Sequence, residues 1–376
     1  MFRHILVIRG GAIGDFILTL PALKALRDAY PDARVEIFGY RHIAVLAENR
    51  FYARAVRSIE YGPLSSFFAK NSELPAELAS YFGSFDLIIS YLFDPDRIFE
   101  NNLRRCGVEN LLCGAAKIVE TAVHAARQLA LPIEQLGIGV GDLTEKVFPS
   151  IDDRQFAKGF LQFLQQPILA IHPGSGSTEK NWPLENWIAL FSRNGGVPLT
   201  EDKFGEVGNA FSMVVISGEA DKTEADALQR EWKNREVRFA KNLPLPHLAA
   251  VLERSIFIGH DSGISHLAAA AGATCVLLFG PTDPDVWAPR NKNVQILRAQ
   301  SGKLSDLKIA SVQAAVATPL KKSLKKPSQT LAVVCAVLSA AKRFPLRTAD
   351  ATALTHLLTL RSRLEISSAT SRRSRR

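Results

Sequence analysis

The first forty or so residues spell a strand, a helix and a second strand, and that order narrows the possible folds more than anything else in the chain. His4-Ile-Leu-Val-Ile8 is a short apolar run that meets glycines directly, as a buried strand does. A helix fits Asp15 to Tyr30 and is stopped by Pro31-Asp32; Arg34-Val-Glu-Ile-Phe38 is the next strand and ends at Gly39. A strand–helix–strand unit of this kind joins parallel strands by a right-handed crossover. The spacing then predicts a helix over Ile43–Asn49, a strand over Phe85–Ser90 and a helix over 116–131.

A second alternation opens at Pro167-Ile-Leu-Ala-Ile171. It continues through a helix at Trp187–Phe191, a strand at Met213–Ile216 and a helix at Asp221–Trp232. Val237–Phe239, a helix at Pro246–Arg254, a strand at Ser255–Ile258 and a strand at Thr274–Phe279 complete it, with a last helix over Leu304–Val316. The 376 residues suffice for two such α/β units. One is expected over 1–160 and one over 167–320, with Phe148-Pro-Ser-Ile-Asp-Asp153 reading as linker. Residues 194–210 have loop composition and read as a surface insertion.

Charge is unevenly placed. The whole chain carries a formal +9, yet residues 321–376 hold 13 Lys and Arg against two acids, which leaves the first 320 residues at −2. The basic character therefore belongs to an expected flexible tail, and the near-neutral body offers no broad face for nucleic acid. Cys106, Cys113, Cys275 and Cys335 form no CxxC pair and suggest reduced thiols in a cytoplasmic protein. A strand starting after four residues leaves no room for a signal peptide, and Leu331–Ala341 is too short to cross a bilayer.

Chemistry concentrates where strands end. In Phe257-Ile-Gly-His-Asp261-Ser-Gly-Ile-Ser-His266 a strand gives way to a polar turn and then to an Ala-rich helix. The free N–H groups of that helix would face a ligand beyond the strand. Ser262, Ser265 and His266 add donors, and Asp261 is an acceptor suited to sugar hydroxyls; the plainer reading is an ordinary capped turn. After the first strand, Arg9-Gly10-Gly11-Ala-Ile-Gly14-Asp15 departs from the dinucleotide spacing, and the second strand ends without the acid that would hold a ribose. Asp15 suits either a general base facing an interdomain cleft or a favourable charge at a helix N-terminus.

After Ile171, the loop His172-Pro-Gly-Ser175-Gly-Ser177-Thr178-Glu-Lys180 offers hydroxyls, N–H groups and one lysine for a phosphate, without the order of a P-loop. Lys180 can neutralise a departing diphosphate or be a surface lysine. Glu219 and Asp221 follow another strand and suit a ribose or a helix cap equally. The pairs Asp94-Pro-Asp96 and Asp283-Pro-Asp285 would make a metal site only if their side chains converged, and no metal or cofactor is expected.

Three of these runs, taken in order, resemble glycosyltransferase family 9, the heptosyltransferase-like enzymes of lipopolysaccharide assembly. They are Arg9–Asp15; His172-Pro-Gly-Ser-Gly with Lys180-Asn-Trp-Pro183; and Gly259-His-Asp261-Ser-Gly-Ile-Ser-His266 with Phe279-Gly-Pro-Thr282. The resemblance covers residues 3 to 316. It implies a GT-B architecture, two Rossmann-like domains facing across a cleft, with the acceptor on the first domain and the nucleotide-sugar on the second. It also implies inverting transfer without a metal. By position, Asp15 matches the base and Lys180 the lysine near the donor phosphates, while Asp261, Ser262, Gly263 and His266 match the donor turn. Glu219 or Asp221 would match a ribose acid.

The implied partners are a nucleotide-sugar, most readily ADP-heptose, and a membrane-anchored saccharide. Arg41, Arg50, Arg54, Arg57, Arg104 and Arg105 are available for acceptor phosphates. The basic tail either rests on an anionic leaflet at the inner face of the membrane or is an extension without a role. A nucleotide-sugar epimerase or hydrolase, or a non-catalytic binder on the same scaffold, is the competing reading. Neither the base, the sugar nor the acceptor is given by the sequence.

Overall fold

The computed structural model describes residues 2–191, 211–233 and 237–324. The expected insertion at 194–210 and the tail from 325 onward lie outside these residues. Residues 1–324 form one compact unit, built on two parallel sheets.

The first sheet takes β1 (His4–Arg9), β2 (Arg34–Gly39), β3 (Ala55–Ser58), β4 (Leu87–Ser90) and β5 (Leu111–Cys113) in the order β3-β2-β1-β4-β5. Every pairing is parallel. Helices α1 (Ile13–Ala29), α2 (Arg41–Ala44), α3 (Ala76–Gly83), α4 (Ile98–Arg105) and α5 (Ala125–Glu134) make the crossovers. As a central strand covered on both faces, β1 is apolar without alternation: Ile5 to Ile8 are all fully buried.

The second lobe begins with α6 (Ile151–Phe160). It then alternates β6 (Ile168–His172), α7 (Leu184–Leu190), β7 (Ser212–Ser217), α8 (Lys222–Glu231), β8 (Val237–Lys241), α9 (Leu245–Leu252) and β9 (Ile256–His260). α10 (Gly263–Ala271), β10 (Thr274–Phe279), α11 (Pro284–Trp287), β11 (Val294–Arg298) and α12 (Ile309–Leu324) finish it. Its sheet runs β11-β10-β9-β6-β7-β8, all parallel. Counted from β6, this is the doubly wound dinucleotide-fold order. The strand order reverses between β1 and β4 in one sheet and between β6 and β9 in the other, and crevices for ligands lie at the carboxyl ends of such points. Among the described residues no helix is long and apolar enough to cross a membrane.

Three expectations fail, the first being the helix over Ile43–Asn49, since α2 ends at Ala44 and turns follow it. The run taken for a linker at 148–153 starts α6: Ser150 Oγ accepts from Asp153 N (3.1 Å) while Asp153 Oδ2 accepts from Ser150 N (2.7 Å). This reciprocal cap starts a helix despite the proline before it. The helix expected over 116–131 begins only at Ala125, because its cap is His124, whose Nδ1 accepts from Ala126 N at 3.2 Å.

The lobes meet where α1 packs on α10, a helix of small residues from Ala268 to Ala271. The connector over 135–149 is bonded to both lobes: Tyr52 Oη donates to Lys146 O (2.6 Å), and Val147 N donates to Ala270 O (3.0 Å).

Candidate functional site

The first half of the site is the turn after β1. Gly11 has φ +92°, and a Cβ there would stand 2.7 Å from Asp15 Oδ2, so position 11 needs glycine on two grounds. Gly10 carries no such demand, its nearest neighbour being 3.6 Å from a built Cβ. Asp15, in the first turn of α1, accepts from Ala12 N through Oδ2 at 2.8 Å. That is half of a capping box, since Ala12 has no acceptor to return. The other carboxylate oxygen lies 3.6 Å from Arg9 Nη2, and the side chain stays about a third exposed at 32%.

Arg9, at the end of β1, is almost fully buried and bonds Thr19 Oγ1 (3.1 Å) and Asp15 O (3.2 Å). Burial lowers its pKa and the Asp15 charge offsets that. The Arg9 role went unread in the sequence, although a cation closing an apolar strand was its signal.

The second half gathers at the ends of β6 and β9. Lys180 Nζ donates to Asp261 Oδ2 at 2.8 Å, and Thr282 Oγ1, from the turn after β10, donates to the same oxygen at 2.8 Å. Ser262 caps α10, its Oγ accepting from Ser265 N at 3.3 Å. Ser175 is buried, with its hydroxyl between Ser177 O and Asn181 Oδ1, both at 2.7 Å. Thr178 is exposed.

His172 sits between Asp221 Oδ2, 3.0 Å from its Nε2, and Ser262 Oγ, 3.4 Å from its Nδ1. Asp221 Oδ2 is buried at ion-pair distance from His172 Nε2. Burial pushes the Asp221 pKa up, but His172 and the Gly218 N–H (2.7 Å from Oδ1) outweigh it and hold the group below the usual carboxylate range. A Cβ on Gly174 would stand 2.2 Å from Asp221 Cβ, so this loop closes directly over Asp221. Of the two acids weighed for a ribose, Asp221 is buried in this pairing while Glu219 is exposed.

His260 is wholly buried and its pKa is pushed down to about 3, by burial first and then by His172. Its Nε2 accepts from Trp182 N at 2.8 Å, which puts the proton on Nδ1 facing Gly174 O. A neutral His260 thereby pins the 173–183 loop across the end of β9.

The two halves touch. A Cβ on Gly263 would lie 2.7 Å from Ile13 Cβ and 2.8 Å from Gly14 N, while one on Gly14 would lie 3.6 Å from both Gly263 Cα and His266 Cδ2. The N-terminus of α10 therefore faces that of α1, one residue before Asp15. His266 Nδ1 is 2.9 Å from Glu145 Oε1. Burial alone would lower the His266 pKa, but Glu145, followed by Asp261 and Asp15, raises it above the ordinary histidine value. Glu145 was not legible, being a lone acid in an irregular connector.

The remaining expected groups do other things. Asp94 accepts from Phe99 N and Glu100 N, and Asp283 caps α11. Among the described residues no group of three or more His, Cys, Asp or Glu converges to hold a metal ion. Of the six arginines weighed for acceptor phosphates, Arg54 alone makes no side-chain bond or ring contact among the described residues. The other five are engaged: Arg41 with Glu48, Arg50 with Asp153, Arg57 over Tyr81, Arg104 on the Val108 carbonyl and Arg105 on Asn102.

Residues 115–316 match the family model described as glycosyltransferase family 9 (heptosyltransferase). Lipopolysaccharide heptosyltransferase 1 of Salmonella typhimurium is 28% identical over 164 residues, which is 43% of this chain and 48% of that enzyme, so this match spans about half of the relative's length. Lipopolysaccharide heptosyltransferase 3 of Escherichia coli is 22% identical over 75% of this chain and 84% of its own.

Among solved structures, a family 9 glycosyl transferase from Veillonella parvula superposes with a TM-score of 0.68 at 20% identity, covering 85% of this chain and 98% of that one. An Escherichia coli heptosyltransferase solved with ADP gives 0.59 at 18%, covering 83% and 98%. At these identities the structural likeness speaks for the fold.

Proposed function

Because the chain belongs to glycosyltransferase family 9, the heptosyltransferase family, we propose that it moves a sugar from a nucleotide-activated donor to a hydroxyl of a lipid-linked saccharide in one inverting displacement. ADP-heptose is the leading donor: the curated relatives are lipopolysaccharide heptosyltransferases, and one structural neighbour was solved with ADP. The observation that carries the reading is the approach of Gly14, one residue before Asp15, to Gly263 at the N-terminus of α10.

In this mechanism Asp15 takes the proton of the acceptor hydroxyl. The acceptor oxygen bonds the anomeric carbon as that carbon's bond to the phosphate oxygen breaks, and the electron pair leaves on the nucleoside diphosphate. Lys180, His266 and the free N–H groups of α10 offset the charge that develops there. Lys180 has three donors, so it can hold Asp261 and still meet a diphosphate.

The acceptor side falls on the first lobe. A cavity of about 400 Å³, lined by Ser90, Leu92, Phe93, Arg97, Cys113 and Gly114 among others, opens at the carboxyl ends of β4 and β5, next to β1. Ribose contact from Glu219 and action at the inner face of a membrane belong to the same proposal.

The test is the purified chain with ADP-heptose and a core-oligosaccharide acceptor, read by ADP release and by NMR of the new anomeric centre. Inverted glycoside with equimolar ADP is expected, and Asp15→Asn should slow transfer by about 10²- to 10⁴-fold while ADP still binds. A panel of ADP, UDP and GDP sugars none of which binds would overturn the reading, and binding without any transfer would favour the non-catalytic binder.

A further inference from the structure

Glu145 is an unusual group to find in a connector. Its side chain is fully buried, Oε1 lies 2.9 Å from His266 Nδ1, and Oε2 is buried with no partner among the described residues. A buried carboxylate costs several kcal/mol unless it is paired, so an imidazole on one oxygen and nothing on the other marks an arrangement held in place from elsewhere.

The holding is visible. Asn291 Nδ2 donates to both Glu145 O (3.0 Å) and Ala269 O (3.1 Å), and Val147 N donates to Ala270 O, so the connector is fastened along α10 on either side of the Lys146 carbonyl that Tyr52 holds. His266, in the first turns of α10, turns its Cδ2 edge toward Gly14, 3.6 Å from a Cβ built there. Nε2 adjoins that edge and has no protein partner among the described residues.

We propose that Glu145 is a positioning residue of the sugar-nucleotide site: it takes the Nδ1–H of His266 and thereby presents a fixed Nε2–H to the gap between α1 and α10. This rests on the reading of that gap as the place where the diphosphate departs. A carboxylate behind an imidazole sets the tautomer, fixes the ring plane and favours the cation, as carboxylates behind catalytic and metal-bound histidines do. The titratable groups whose charge acts on the ring are Glu145 from the connector, Asp261 from the turn before α10, Asp15 from α1 and His124 from the cap of α5. These three carboxylates favour the imidazolium, and the negative charge of a bound nucleotide would favour it further. A rigid N–H is thus in place before the reaction, with no reorganisation at the moment the diphosphate leaves.

The experiment is an imidazole ¹H–¹⁵N NMR titration of the full chain without nucleotide, alongside calorimetry with ADP at pH 6 and pH 8.5. The wild-type His266 signal should titrate above the ordinary histidine range. In Glu145→Gln it should fall below that of the wild type and lose its single tautomer, while ADP affinity at pH 6 drops about 10-fold. Glu145→Asp should recover part of both.

A His266 that titrates below the ordinary range in the wild type refutes the pairing without recourse to any variant, which covers the case of Glu145→Gln failing to fold. An unchanged titration and unchanged affinity in a folded Glu145→Gln refute it as well, leaving Glu145 a packing group. Failure of the wild type to bind ADP strikes the sugar-nucleotide reading instead, and the titration still decides the Glu145–His266 pair.

Discussion

Alanine at Gly263 and alanine at Gly14 look like the same substitution on two facing glycines, yet the geometry assigns them opposite outcomes. At Gly263 the new methyl would meet Ile13 Cβ at 2.7 Å and Gly14 N at 2.8 Å, and neither can rotate away because both belong to, or branch directly from, the backbone of α1. Carbon atoms rest about 3.5–4.0 Å apart, so the lobes must part by about 1 Å at this point. A displacement of that size between reacting groups costs about 10²-fold in rate, close to 2.7 kcal/mol of barrier. At Gly14 the new methyl meets its neighbours at 3.6 Å, an ordinary contact, and turnover should stay within about 3-fold.

Both changes place alanine in a first helical turn, where it favours helix over glycine, so neither lobe should lose local stability. The assay is turnover at saturating donor, with thermal unfolding and ADP calorimetry as controls. Near-normal turnover for Gly263→Ala, or equal damage from Gly14→Ala, would refute the claim that these two turns must touch for transfer.

Two further outcomes follow from single side chains. Lys180→Ala removes a charged donor from the diphosphate side and leaves Asp261 with Thr282; ADP affinity should fall about 10- to 100-fold by calorimetry, and an unchanged value would take Lys180 out of the donor site. His260, with its pKa depressed to about 3, is a group the unfolded chain protonates near pH 6.5 and the folded chain does not. Its contribution is therefore complete above pH 6.5 and is lost as pH falls toward 3, at about 1.4 kcal/mol per unit, or about 2 kcal/mol by pH 5. Urea unfolding at pH 7 and pH 5 should show this loss, His260→Asn should lack it, and an identical loss in that variant would assign the effect elsewhere.

Much of the architecture was readable because the central strands are continuous apolar runs ending in glycine or polar turns, as at Ile5–Ile8 and Ile256–Ile258. The strands that escaped notice are the edge strands β3, β5 and β11, half open to solvent: Arg57 in β3 and Gln295 and Arg298 in β11 break the hydrophobic signal, and β5 is only three residues long. The reading of 148–153 as linker missed Ser150 and Asp153 as a capping pair. At the site, groups next to a strand end in sequence, such as Asp15 and Asp261, could be named. Glu145 and Arg9 could not, since their partners are fixed only once helices and connector have packed.

Asp153 does more than start a helix. It also binds Arg50 of the first lobe, while α6 itself rides on α9 of the second through Ala157, Ala250 and Val251. At the other contact between the lobes, Gly14 and Gly263 meet directly. The Arg50–Asp153 pair thus ties the lobes a second time, so the register of α1 against α10 does not rest on their own contact alone.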